Sequence, residues 1–149
     1  MRARAGLVKA LLFDGQSGEA ITQMWQMIAL NKMDNQGMRY TLSTALLNAN
    51  DFEGYERLLK LFPDDYLAAW QYNLALYLFL QKPNSNESVA TLKIAFGCNR
   101  HVQAYLLGKK SLPKIQASSI ILGDPPGATG LRFRLLTLSG FFVVLRGHP

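Results

Sequence analysis

Leu7-Val8-Lys9-Ala10-Leu11 … Gly15 … Glu19-Ala20-Ile21 … Met24 … Met27 … Leu30-Asn31 is answered 34 positions later by Thr41-Leu42-Ser43-Thr44-Ala45 … Ala49 … Glu53-Gly54-Tyr55 … Leu58 … Leu61. A period of 34, with small and large apolar residues at matched places, marks paired antiparallel helices. Such pairs bury their apolar faces only by stacking on one another. Leu7, Val8, Gly15, Ala20 and Met27 set the pattern in the first copy; Leu42, Gly54 and Leu61 carry it in the second. The chain is therefore expected to be all-α, a right-handed solenoid of helical hairpins with about three repeats and a capping half-repeat.

Working outward, residues 3–13 predict a first helix that Asp14-Gly15 stops, and residues 18–31 its partner, with Ala20, Met24, Met27 and Ile28 inward. Ala20 stands where two helices cross closely, so a bulky residue there would separate them. The second pair spans about 35–48 and 52–61. Asp51 is placed to accept unpaired first-turn N–H groups, and Gly54 takes the close-crossing position. Pro63-Asp64-Asp65 ends that unit. The third pair spans about 66–81 and 87–98: Trp70, Leu74 and Tyr77 fill its first helix, and Ser88, Leu92 and Ala95 pattern its second. Its turn, Lys82–Asn86, is longer than the other two. A short apolar piece, His101–Leu107, closes on Gly108 as a half-repeat over the end of the stack.

The expected organisation is thus a helical repeat domain over 1–108, a linker or cap over 109–124, and a tail over 125–149. The tail opens on Pro125-Pro126-Gly127, lacks acids, and is rich in Leu, Phe and Val without helical period, so it reads as irregular or β-prone. Charge divides at the same place. Of 16 Lys and Arg against 10 Asp and Glu, all ten acids fall at or before Asp124, and Arg132, Arg134 and Arg146 supply half the net charge of +6. That distribution lacks the clustered basic face, interleaved with stacking aromatics, of a nucleic-acid binder, and none is expected as partner. The longest uncharged tail run, Leu135–Leu145, is 11 residues, short of the roughly 20 of a spanning helix. Met1–Ala5 passes directly into helical pattern, so no secretory leader is expected. A single cysteine, Cys98, excludes an internal disulfide framework and fits a cytoplasmic setting.

Met1-Arg-Ala-Arg-Ala-Gly-Leu7, Asp34-Asn-Gln-Gly-Met-Arg-Tyr40, Ala69-Trp70-Gln71-Tyr72 and Tyr105-Leu-Leu-Gly108 with Leu112-Pro113 together resemble one group of bacterial tetratricopeptide proteins. Those are similar in turn, more distantly, to the repeat region of the eukaryotic suppressor-of-tumorigenicity proteins. The resemblance covers about residues 1–124. It implies a helical scaffold with no catalytic residue to carry over. In such relatives the Met1–Ala5 segment lies inside a longer chain, which leaves open whether sequence ahead of Met1 is missing. They also continue past Gly123-Asp124 with an acidic helical segment, where this chain has Pro125-Pro126-Gly127; a shifted reading frame and a natural variant tail both account for that break.

First helices of these repeats line the concave face, which places Lys9, Gln36, Arg39, Ser43, Gln71 and Tyr72 there as partner-binding candidates. Arg39 is then a bidentate donor to a carboxylate. The bland alternative is a set of solvated helix faces. Ser43 and Ala75 stand where some relatives place an asparagine that grips a terminal carboxylate, which argues against that mode. Trp25 reads as facing outward or packing, and Cys98 as a small buried hydrophobe. His101 and His148 are too few and too far apart for a metal site or a catalytic triad. Gly123–Gly130 lacks the Lys-[Ser/Thr] of a phosphate loop. The expected function is a non-enzymatic scaffold holding a peptide or protein, an acidic one among the candidates, with no cofactor and no metal. Two alternatives stay open: a non-catalytic regulatory part of a larger protein, and an adaptor held to a membrane surface by the tail. Self-association through the exposed end of the stack is open as well.

Overall fold

The computed structural model describes residues 2–106 and 109–110; the expectations for 125–149, and those for Leu112-Pro113 and His148, fall outside these residues. All seven elements among the described residues are α-helices: α1 (Arg2–Phe13), α2 (Ser17–Leu30), α3 (Met38–Asn48), α4 (Phe52–Leu61), α5 (Ala68–Gln81), α6 (Asn86–Cys98) and α7 (Arg100–Leu106). They fall into two compact units that divide between Pro63 and Asp64.

In the first unit each helix packs on the next, α1 on α2, α2 on α3 and α3 on α4. The packing follows from where the apolar residues recur. Ala20, Met24, Met27 and Ile28 form the buried stripe of α2, at the i, i+4, i+7, i+8 spacing that keeps one face of a helix together. α4 is more strongly two-sided: Tyr55 and Leu58 are fully buried, while Glu53, Glu56, Arg57 and Lys60 are exposed. In α3 the six residues Leu42–Leu47 are all buried, so this helix is covered on every side. That is tolerable for Ser43 and Thr44 because both hydroxyls donate to the Tyr40 carbonyl, at 2.9 and 3.1 Å.

The turn inside each hairpin of this unit is built the same way. α1 ends through Gly15 at φ 76°, with Gln16 N–H donating to Leu11 C=O at 2.8 Å and Gly15 N–H to Leu12 C=O at 3.4 Å. α3 ends through Asn50 at φ 55°, with Asp51 N–H donating to Leu46 C=O at 2.9 Å and Asn50 N–H to Leu47 C=O at 3.1 Å. Both are the paired 6→1 and 5→2 closures that satisfy the last carbonyls of a helix. Gly and Asn are the residues that reach this left-handed conformation at least cost. Leu11-Leu12 and Leu46-Leu47 occupy matching places ahead of them. The second helix then starts two residues after the left-handed one, at Ser17 and at Phe52. Asp51 caps the latter through its carboxylate, which accepts Gly54 N–H at 2.8 Å.

In the second unit α5 packs on α6, and α6 on α7. Asn84 takes the left-handed conformation at φ 56°, and α6 again begins two residues later. Its closure differs: Ser85 N–H donates to Lys82 C=O at 3.3 Å, in a turn one residue longer that contains Pro83. The lengthened turn expected from the sequence is therefore present, though Asn86 belongs to the helix. Ser85 caps α6, accepting Ser88 N–H at 3.2 Å. α7 is helical over most of the piece expected at His101–Leu107, with Val102 buried, while Leu107 and Gly108 fall outside the described residues.

Most residues assigned to packing are interior. Val8, Ala20, Met27, Leu42, Trp70 and Ala95 are buried, and Leu74 is half-buried. Leu7 and Leu61 do not share in that burial. Leu7 lies about 100° round α1 from buried Val8, and Leu61 is the last residue of α4; they are 44% and 52% exposed. Gly54 meets its assignment in detail. A Cβ there would come within 2.9 Å of Leu46 Cδ2 and would collide with the capping Asp51 carboxylate. Gly18, by contrast, has open space in the Cβ direction. Gly18→Ala should leave stability unchanged or raise it by up to about 1 kcal/mol, whereas Gly54→Ala should forfeit that gain and cost about 1 kcal/mol through the displaced cap. Urea unfolding of the two variants side by side measures the difference.

Candidate functional site

A dense polar cluster forms just ahead of α3. Asp34 sits at φ 45°, is buried, and turns both carboxylate oxygens toward the start of the helix. Oδ1 accepts Met38 N–H at 2.8 Å and Oδ2 accepts Arg39 N–H at 2.9 Å. A negative group here satisfies unpaired amides and lies at the positive end of the helix dipole. Gly37, at φ 67°, donates its N–H to Asp34 C=O and lets the chain turn into α3. Around this anchor Arg39 Nη1 donates to Asp34 Oδ2 at 3.1 Å and Nη2 to the Tyr40 hydroxyl at 2.6 Å. The guanidinium carbon is 4.5 Å from the Tyr40 ring centroid and 5.0 Å from that of Phe62. Ion pair, hydrogen bond and two cation–π contacts thus converge on one side chain.

The geometry revises the reading of Arg39. The sequence suggested a guanidinium presented to a partner's carboxylate; here it bonds to a carboxylate of its own chain. The other candidates divide in the same manner. Lys9 and Gln36 are exposed, the latter in the turn before α3. Ser43 is fully buried and bonded to Tyr40, so it offers no surface. Gln71 is half-buried and donates through Nε2 to the Asp65 carbonyl at 2.9 Å, bracing the entry to α5. Tyr72 is buried, donates its hydroxyl to the Asn99 carbonyl at 3.2 Å, and sets its ring 6.0 Å from Phe96. Of the six candidates, only Lys9 and Gln36 are exposed.

Cys98 is exposed rather than buried, although it continues the Ser88, Thr91 and Ala95 stripe: it is the last residue of α6, and its thiol donates to the Tyr66 carbonyl at 3.4 Å. Trp25 is half-buried with Arg57 over its ring at 4.7 Å, joining α2 to α4. The Asp65 carboxylate accepts Leu67 N–H at 3.0 Å, one residue ahead of α5. Among the described residues no group of His, Cys, Asp or Glu could hold a metal ion, and no helix is long and apolar enough to cross a membrane.

A scan against protein-family models finds no match, and searches of curated proteins and of solved structures find none either.

Two measurements test this site. Asp34→Ala strips two helix-start amides of their acceptor and removes the carboxylate paired with the half-buried Arg39 guanidinium, and should cost about 3 kcal/mol in urea unfolding. Asp34→Asn, which keeps one acceptor oxygen, should cost less. Burial, followed by the nearby Cys98, pushes the Tyr72 phenol up to about 12. A neutral phenol favoured in the folded chain stabilises it below the ordinary tyrosine range near pH 10, and the contribution disappears as pH rises from about 10 to about 12. Tyr72→Phe should therefore lose less stability than wild type across that interval, as read from urea midpoints at successive pH values.

Proposed function

We propose that the chain is a tetratricopeptide-type scaffold of the cytoplasm, binding a peptide or protein partner on preformed helix surfaces and performing no chemistry of its own. The observation that carries this reading is the recurrence of one hairpin design. Left-handed residues at Gly15, Asn50 and Asn84 each precede a new helix by two positions. Small residues follow at 34-residue intervals: Ala20, Gly54 and Ser88. Buried Val8, Leu42 and Leu76 keep the same interval on the first helices. Reiterated hairpins of this kind serve as surfaces for other proteins. The exposed free thiol of Cys98 fits a reducing compartment.

A preformed surface orders little on binding, so affinity comes from side chains already in place. The test is affinity capture from the source cell with the full chain, then calorimetric titration of the purified partner. Saturable binding with far-ultraviolet dichroism unchanged beyond the sum of the components is the expected result. Failure to retain any partner, or a large gain in helix on binding, contradicts the reading.

A further inference from the structure

We infer that the outward face of α1 docks an acidic amphipathic helix of the partner protein; this deepens the scaffold reading and rests on it. A solvent-facing helix side is ordinarily polar, as α4 shows with exposed Glu53, Glu56, Arg57 and Lys60. α1 departs from that rule. Its exposed positions include Ala3, Gly6, Leu7, Ala10 and Phe13, with Phe13 92% exposed. Contiguous apolar surface of this kind marks a docking site more often than a solvated face.

The order of these residues around the helix gives the face a shape. At 100° per residue, Phe13 stands on one side and Leu7 on the other, with Gly6, Ala10 and Ala3 between them. A Cβ on Gly6 would meet nothing within 4 Å. Small residues between two larger ones form a furrow, and furrows lined by small side chains admit a second helix at about 8 Å between axes.

The charges name the occupant. Arg2 and Lys9 flank the furrow beyond Phe13, both exposed, and α1 contains no acidic residue. Seven residues apart, they lie about 10 Å along the axis, the separation of two carboxylates two turns apart on a facing helix. Arg4 is set apart from them: half-buried, it donates to Gln26 Oε1 of α2 at 3.4 Å. The fitting partner is a helix with a Leu/Ala stripe and two Glu residues spaced by seven.

The test uses such a helix as a synthetic, N-acetylated, fluorescent probe, with a counterpart carrying Lys at both Glu positions, titrated against the full chain by anisotropy. Wild type should bind the Glu probe and not the Lys probe. The double variant Arg2→Glu, Lys9→Glu should lose about tenfold or more toward the Glu probe and gain toward the Lys probe. Phe13→Ser should weaken the Glu probe with its charges intact. Both variants alter exposed side chains, and unchanged melting curves verify their fold. Equal binding of the two probes, or Glu-probe affinity indifferent to the charge reversal, overturns the assignment. So does a wild-type dimer in sedimentation that Phe13→Ser dissolves, since the face then belongs to a second copy. A captured partner that binds the charge-reversed chain as tightly as wild type removes the α1 assignment and leaves the scaffold reading standing. A wild type that retains no partner and binds neither probe removes both.

Discussion

The left-handed residue that closes the first helix of each hairpin in the first unit is the constraint on which the rest depends. Once Gly15 or Asn50 turns positive, the next two amides fold back onto carbonyls of the helix just completed, and the direction of the departing chain is set. The following helix then runs back along its predecessor with its small residue, Ala20 or Gly54, on the packed side. Without that closure, the last carbonyls of α1 and α3 would need other partners, and the register of Met24 or Leu58 against the neighbouring helix would be free to slip. Apolar stripes supply most of the stabilisation, but they are forgiving in phase. The turn is what selects the phase.

A different device joins one hairpin to the next in the first unit. Between α2 and α3 the chain holds Asp34 left-handed and buried, a conformation that costs of order 1–3 kcal/mol in a non-glycine residue. It persists because two amides, a guanidinium and the Gly37 turn all use the same carboxyl and carbonyl groups. The cluster thereby fixes where α3 begins. It also engages the Arg39 guanidinium within its own chain.

Much of the helical order could be read from the residues. The 3.6-residue stripe in α2 named all four of its buried residues, and Asp51 announced its cap by standing three residues before Gly54. The Pro and Asn of 82–86 signalled a longer third turn. What escaped were properties that depend on which side of a helix is already occupied. Ser43 and Tyr72 are polar enough to belong on a surface, yet each finds a backbone carbonyl within its own unit and is buried on that account. Arg39 looked available because its acceptor, Asp34, lies between the two expected helix pairs. Asp34, followed three residues later by Gly37 and then a helix, was the signal that would have paired them. Leu7 and Leu61 were assigned to packing by analogy between copies; periodicity fixes a residue's angle on its helix, not whether a neighbour covers that angle.

Amide hydrogen exchange at Gln16 and Asp51 tests the central claim most directly, because those two amides exist in protected form only if the hairpins close as described. The account predicts that both exchange slowly and with matched protection, alongside positive φ at Gly15 and Asn50 from backbone chemical shifts. Exchange of either amide at the rate of an open loop, or an extended Asn50, would contradict it.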